Sequence, residues 1–123
     1  MFKSVHPVCP VLDMAEHVAF WRRLGFETVF ASAAPAERAD YVGIARGAVE
    51  LHLQAFTHEQ LQATQIMAIR IEMQDRASLE ALHAEWAGKV DMTAPLADKP
   101  WGTREFGFHD PAGSPFFFYV DRP

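Results

Sequence analysis

Residues 5–26 read VHPVCPVLDMAEHVAFWRRLGF, and residues 67–88 read MAIRIEMQDRASLEALHAEWAG. Each is an extended apolar run, then an Asp, then a segment with apolar residues at helical spacing. Asp13 and Asp75 mark the same point in the two stretches, so the chain repeats one unit. An Asp there accepts hydrogen bonds from the free N–H groups at a helix start, and Glu16 stands where it completes a capping box. Met14, Val18, Trp21 and Leu24 then recur on one helix face, and Gly25 supplies the left-handed residue that ends it. Leu79, Leu82 and Trp86 do the same in the second stretch, which ends near Gly88. Both helices should lay one apolar face on a sheet.

Working outward, each helix is followed by extended segments joined by turn signals. In the first unit these are expected at about 26–31, 40–46 and 48–55, with Gly47 at a tight hairpin. In the second they are expected at about 89–93, 103–109 and 115–120, the last two joined by DPAG. The order is βαβββ twice: an α+β fold of one 123-residue domain, with module one at about 1–56, a linker at about 57–65 (within FTHEQLQATQ, residues 56–65) and module two at about 66–123. PLADKPWG reads as a long loop.

Half of the residues are hydrophobic and 22% are charged, a globular profile. A net charge of -5 with scattered Arg and Lys excludes the basic stripe of a nucleic-acid binder. Cys9 stands alone, so no intrachain disulfide and no cysteine-based zinc site can form. The opening MFKSVHPVCP lacks the apolar core of a signal peptide, and eighteen apolar residues nowhere run together. These point to a soluble cytoplasmic protein with no membrane partner.

The repeat, the LGF helix end and the closing WGTREFGFHDPAGS together resemble the vicinal oxygen chelate superfamily, which includes glyoxalase I, extradiol dioxygenases, and fosfomycin- and bleomycin-resistance proteins. The resemblance spans nearly the whole chain. It implies that each unit curls into half a barrel with its helix outside and a cavity inside, and that metal-dependent members hold a divalent ion at four cavity-facing positions. It places one of those positions at His6, shortly before the capping Asp, and another at Glu50 in VELHL. The repeat then assigns the remaining two to Ala68 and Phe117, which cannot bind metal.

Strand parity is a separate guide. Met67, Ile69, Ile71 and Met73 should face a helix, leaving Ala68, Arg70 and Glu72 opposite. Val49, Leu51 and Leu53 leave Glu50, His52 and Gln54 opposite. On the aromatic run of the final strand, Phe116, Phe118 and Val120 should pack under a helix while Phe117 and Tyr119 line the pocket. Phe117 thus puts a flat apolar surface where an oxygen ligand is expected. Trp101, in DKPWGT, resembles a Trp-Gly pair at the binding-groove rim of bleomycin-resistance proteins, which bind a bulky drug unaltered, as dimers. Pro7 and Pro10 suit an exposed or exchanged edge strand.

Plainer roles compete with these. His6 and Glu50 are two ligands where a tight site has three or four, so a hydrogen bond or ion pair between them suffices. His52 adds a third donor only if its strand twists. Exposed or hydrogen-bonded histidine is the default for His58, His83 and His109 too. Phe117 and Tyr119 also serve as plain filling, and Trp101 as a loop packed on its own domain. Arg70 and Arg104 are the cations that could meet an anion, with Arg70 open to neutralisation by Glu50 or Glu72, and Arg104 of ambiguous parity. Glu50 with His6 or His52 is the one acid/base cluster. Ser78 and Ser114 sit in helix-start and turn contexts, and Cys9 should be buried.

The sequence therefore predicts a homodimeric, metal-independent and cofactor-free protein that sequesters a small organic molecule, an antibiotic or metabolite. Its ligand would be held by His6, Glu50, His52, Arg70, Trp101, Phe117 and Tyr119, with no metal ligands and no catalytic residue assigned. The alternative is a metal-dependent lyase, isomerase or dioxygenase of the glyoxalase type using His6 and Glu50. A scaffold with a self-filled cavity is a third reading.

Overall fold

The computed structural model describes Met1 and residues 3–123. Among them, eight strands and three α-helices fall into two compact units, Met1–Gln65 and Ile66–Pro123. The first unit holds β1 (Val8–Val11), α1 (Met14–Arg23), β2 (Glu27–Ala31), β3 (Tyr41–Arg46), β4 (Val49–Ala55) and α2 (His58–Ala63). The second holds β5 (Ile69–Glu72), α3 (Arg76–Trp86), β6 (Ala94–Asp98), β7 (Thr103–His109) and β8 (Pro115–Asp121). Both sheets have the same plan: order β1-β4-β3-β2 in one and β5-β8-β7-β6 in the other, with the first pair parallel and the rest antiparallel. The α+β class with two βαβββ modules is thus the observed one.

The caps work as their residue types dictate. Asp13 accepts from the Glu16 N–H at 3.1 Å, and Asp75 from the Ser78 N–H at 2.7 Å. Each helix then covers one sheet face. In the first unit Trp21 and Leu24 of the helix segment and Val42, Ile44, Leu51 and Leu53 of the sheet are all buried. In the second, Trp86 packs edge-on against Phe106, Phe108 and Phe118 at 5.0–6.1 Å between ring centroids. Burying side chains of this size contributes about 2–3 kcal/mol each. Phe116, Phe118 and Val120 lie on this helix side, and Cys9 is buried.

Three local expectations need correction. The strand placed at 89–93 is β6, at Ala94–Asp98, so the first half of the PLADKPWG loop is a strand. Proline is tolerated there because β6 is an edge strand, and its pairing with β7 is irregular between Ala94 and Ala97, around Pro95. The 57–65 linker contains α2, started by a reciprocal capping box between Thr57 and Gln60. Its six residues are polar enough to have left no apolar period. Met67 is not on the helix side: β5 begins at Ile69, and Met67 is 79% exposed.

Candidate functional site

The face of each sheet opposite its helix carries the residues singled out by the sequence, and the two faces differ. In the first unit β4 presents Glu50 and His52 two residues apart on this face, and the segment before β1 brings His6 beside them. His52 Nε2 lies 2.7 Å from Glu50 Oε2, and the His6 and His52 rings stack at 4.9 Å. The three side chains offer donor atoms within 4.8 Å of one another. His52, expected to join only if the strand twisted, is therefore the nearer partner of Glu50; His6 Nε2 is 3.6 Å from the same oxygen.

The hydrogen bonds fix what this cluster can do. A carboxylate only accepts, so His52 Nε2 carries the proton it gives to Glu50. In the neutral imidazole Nδ1 is then an acceptor, and it takes the Tyr41 hydroxyl at 2.9 Å. His6 is pinned likewise, Nδ1 donating to the Glu50 carbonyl at 3.3 Å and Nε2 accepting from Ser4 Oγ at 2.9 Å. The His52 hydrogen bond holds the Glu50 carboxyl below its ordinary range, with the Lys3 charge acting in the same direction. The donors are near enough for one ion but already committed to one another. Binding an ion through His52 Nε2 would require that ring to move its proton to Nδ1 and reverse its bond to Tyr41.

Two residues of this face were missed in the sequence. Tyr41 holds His52, and Phe30 lies edge-on to His52 at 5.0 Å and over Gly43. A Cβ at Gly43 would fall 2.0 Å from the Phe30 ring. Glycine inside a strand signals such close approach. An open depression of about 450 Å³ lies at the Tyr41 end of this face, lined by Asp40, Gln54, Phe56 and Gln60 among others. Its lining includes none of the seven residues expected to bind ligand.

In the second unit the open face is built around a buried carboxylate that sequence reasoning also missed. Glu105, in the middle of β7, is opposite Tyr119 of β8, and its side chain is 3% exposed. Arg70 of β5 grips it with both terminal guanidinium nitrogens, Nη2 donating to Oε2 at 2.8 Å and Nη1 to Oε1 at 3.3 Å. Thr103 Oγ1 donates to Oε2 at 2.7 Å and Trp101 Nε1 at 3.4 Å. The Arg70 bond holds the Glu105 carboxyl below its usual range against the opposing effect of burial, and the same bond raises Arg70. Glu105, not Glu50 or Glu72, is thus the hydrogen-bonded counter-ion of Arg70.

The guanidinium also lies over two rings, 4.4 Å from the Tyr119 centroid and 5.9 Å from that of Phe117. Arg70 is the strand partner of Phe117. Across the parallel pair, then, Arg70 and not Ala68 stands beside Phe117. Phe117 and Tyr119 are half-buried, while Trp101 is 64% exposed with Lys99 over its ring at 5.7 Å. Arg104, ambiguous in the sequence, turns to the helix side, where it bonds Glu80 and Asp98 at 3.1 Å each. His17 is buried in α1, and His83 packs on Phe106.

Residues 3–118 match the model of the Glyoxalase/Bleomycin resistance protein/Dioxygenase superfamily. A bleomycin-binding protein from bleomycin-producing Streptomyces verticillus, solved with copper(II)-bleomycin, is 30% identical over 100% of this chain and 99% of its own, with a TM-score of 0.70. Another bleomycin-binding protein, solved with bleomycin, matches at 19% identity over 99% of both chains and a TM-score of 0.74. Lactoylglutathione lyase from Agrobacterium tumefaciens matches at 17% identity, over 95% of this chain and 92% of its own, with a TM-score of 0.70. The last two are alike in fold alone. No curated protein sequence matches the chain. No helix among the described residues is long and apolar enough to cross a membrane.

Proposed function

Because the chain belongs to the Glyoxalase/Bleomycin resistance protein/Dioxygenase superfamily, we propose that it is a binding protein that holds a small organic molecule, an antibiotic or metabolite, and releases it unaltered. The observation that carries this reading is the open face of the second unit. It presents Phe117, Tyr119 and the exposed Trp101 around an ion pair that neutralises its own charge. Flat rings at an accessible face favour a planar ligand by stacking and by removal of apolar surface from water. The carboxylate at the centre of this face, Glu105, is buried and held by three donors, which leaves it poorly placed to act as an acid or base. The 30% identical relative was solved with a bleomycin complex, which makes bleomycin a first ligand to try without making it the natural one. We extend the proposal to a homodimer.

The test is a fluorescence titration with metal-free bleomycin and a panel of planar aromatic compounds, in chelator. Trp21 and Trp86 are buried, so quenching by an added ligand reports on Trp101. Saturable quenching that weakens in Phe117→Ala, with ligand recovered chemically unchanged, is the expected outcome. Turnover of a bound compound would contradict the reading.

A second reading has one observation in its favour: the donor atoms of His6, Glu50 and His52 lie close enough to share an ion. These residues would hold a divalent ion, which as a Lewis acid polarises a bound carbonyl or hydroxyl oxygen. Phe117 weighs against a metal site of the four-ligand kind, because the resemblance places a fourth ligand where that phenyl ring stands.

A further inference from the structure

Two parts of the Arg70–Glu105 pair differ in how firmly they are held. Glu105 sits in the central part of β7, 3% exposed, with Thr103 and Trp101 donating to it in addition to Arg70. Arg70 is 39% exposed and extends from β5, a four-residue edge strand. The carboxylate is therefore the fixed element and the guanidinium the movable one. Around that carboxylate stand Tyr119 and Phe117, whose ring faces attract a planar cation. Lys99 over Trp101 repeats the preference nearby.

We propose that Glu105, Tyr119 and Phe117 form a cation site whose resident occupant is Arg70, and that the protein's ligand carries a planar cationic group, an amidinium or guanidinium, that takes Arg70's place. This deepens the binding-protein reading, on which it rests, by naming the ligand's charge and shape. Exchange of one cation for another leaves the buried carboxylate compensated throughout, so the step avoids the cost of stranding a charge. An anionic ligand fits poorly, because the charge of the guanidinium is already paired with Glu105 through two hydrogen bonds. The tethered Arg70 competes at an effective concentration in the millimolar range or above, which attenuates the affinity for any free cation.

The test uses benzamidine as the planar cation and benzoate as its anionic counterpart, with binding read by calorimetry and by thermal melting of the full chain. Arg70→Ala is expected to bind benzamidine about tenfold or more tighter than the wild type and to gain melting temperature when it does. Arg70→Ala combined with Glu105→Gln, which leaves no buried charge, is expected to lose that binding. Benzoate should stabilise none of the three. Should Arg70→Ala fail to accumulate folded, Arg70→Gln keeps much of the side chain's reach and carries the same comparison. Benzamidine binding no tighter without Arg70, binding that survives Glu105→Gln, or a wild-type preference for benzoate would each overturn the proposal. The broader reading fails separately: if a neutral planar ligand quenches Trp101 while benzamidine does not bind Arg70→Ala, only the cation assignment falls. If no planar compound quenches Trp101, the binding reading falls even where benzamidine fills the emptied site.

Discussion

The two units share an order of elements, a strand order and a helix-covered aromatic core, yet their open faces have diverged in chemistry. The first carries a chain of neutral and charged hydrogen-bond partners, Tyr41 to His52 to Glu50, with His6 stacked alongside. The second carries an ion pair, Arg70 with Glu105, walled by Tyr119 and Phe117. The helix side of a sheet is constrained by packing, so the repeat is preserved there. The open side is constrained only by what it must meet, so there the repeat has been rewritten. Donor atoms that could serve an ion gather in one unit, and ring faces that could serve a planar ligand gather in the other.

The sharpest way to break this contrast is to truncate one large ring on each side of the second sheet. Trp86→Ala empties the helix side and should cost about 3–5 kcal/mol in denaturant unfolding. Phe117→Ala, on the open face, should cost far less and weaken ligand quenching of Trp101 instead. Equal losses of stability would mean that the open face is core as well. Next comes the ion pair. Arg70→Met strands Glu105 and should cost about 1–3 kcal/mol, reduced from a fully buried pair because Arg70 is partly solvated.

The glycines separate the faces further. A Cβ at Gly107 would meet the Phe116 carbonyl oxygen at 2.6 Å, which is backbone, whereas at Gly43 it would meet the Phe30 ring, which is 41% exposed. Gly107→Ala should therefore destabilise by about 1–3 kcal/mol, and Gly43→Ala by less, because Phe30 can swing outward. Chemical melts of the two variants decide the order.

The smallest effect is on acid sensitivity. The native Glu105 carboxyl lies below its ordinary value of 4.5, so its contribution is present above that value and lost as the pH falls through the lower native one. Glu50 is depressed in the same sense but is more exposed. Melting temperature should fall on acidification from about pH 5 to about pH 3, less steeply in Glu105→Gln than in the wild type. Glu50→Gln should flatten the slope less than Glu105→Gln does.

Where packing and capping decide, the sequence was readable. Asp13 and Asp75 located both long helices, and alternation along β4 and β8 separated Leu51 and Leu53 from Glu50 and His52, and Phe116 and Phe118 from Phe117 and Tyr119. Segments whose structure comes from partners were not readable. β6 is held by pairing with β7 despite Pro95, and α2 by a cap between polar residues. Glu105 escaped notice because Arg104 puts a charge on the same parity as Phe106 and Phe108, so TREFGF does not separate a charged face from an apolar one. Counting back from the DPAG turn would have set it opposite Tyr119, hence on the open face with Arg70. Gly43 and Gly107 held a further signal: each sits in a strand interior under a ring, Phe30 or Phe117.

The contrast between the faces is tested most directly by metal retention. The full chain, without a histidine tag, would be dialysed against zinc, nickel, copper, iron and manganese in turn, then freed of excess ion and analysed for metal content. Retention well below one equivalent of each ion is the predicted result, since His52 and His6 are engaged with Glu50, Tyr41 and Ser4. Near-stoichiometric retention, lost in Glu50→Gln, would contradict the account and move the chemistry to the first unit.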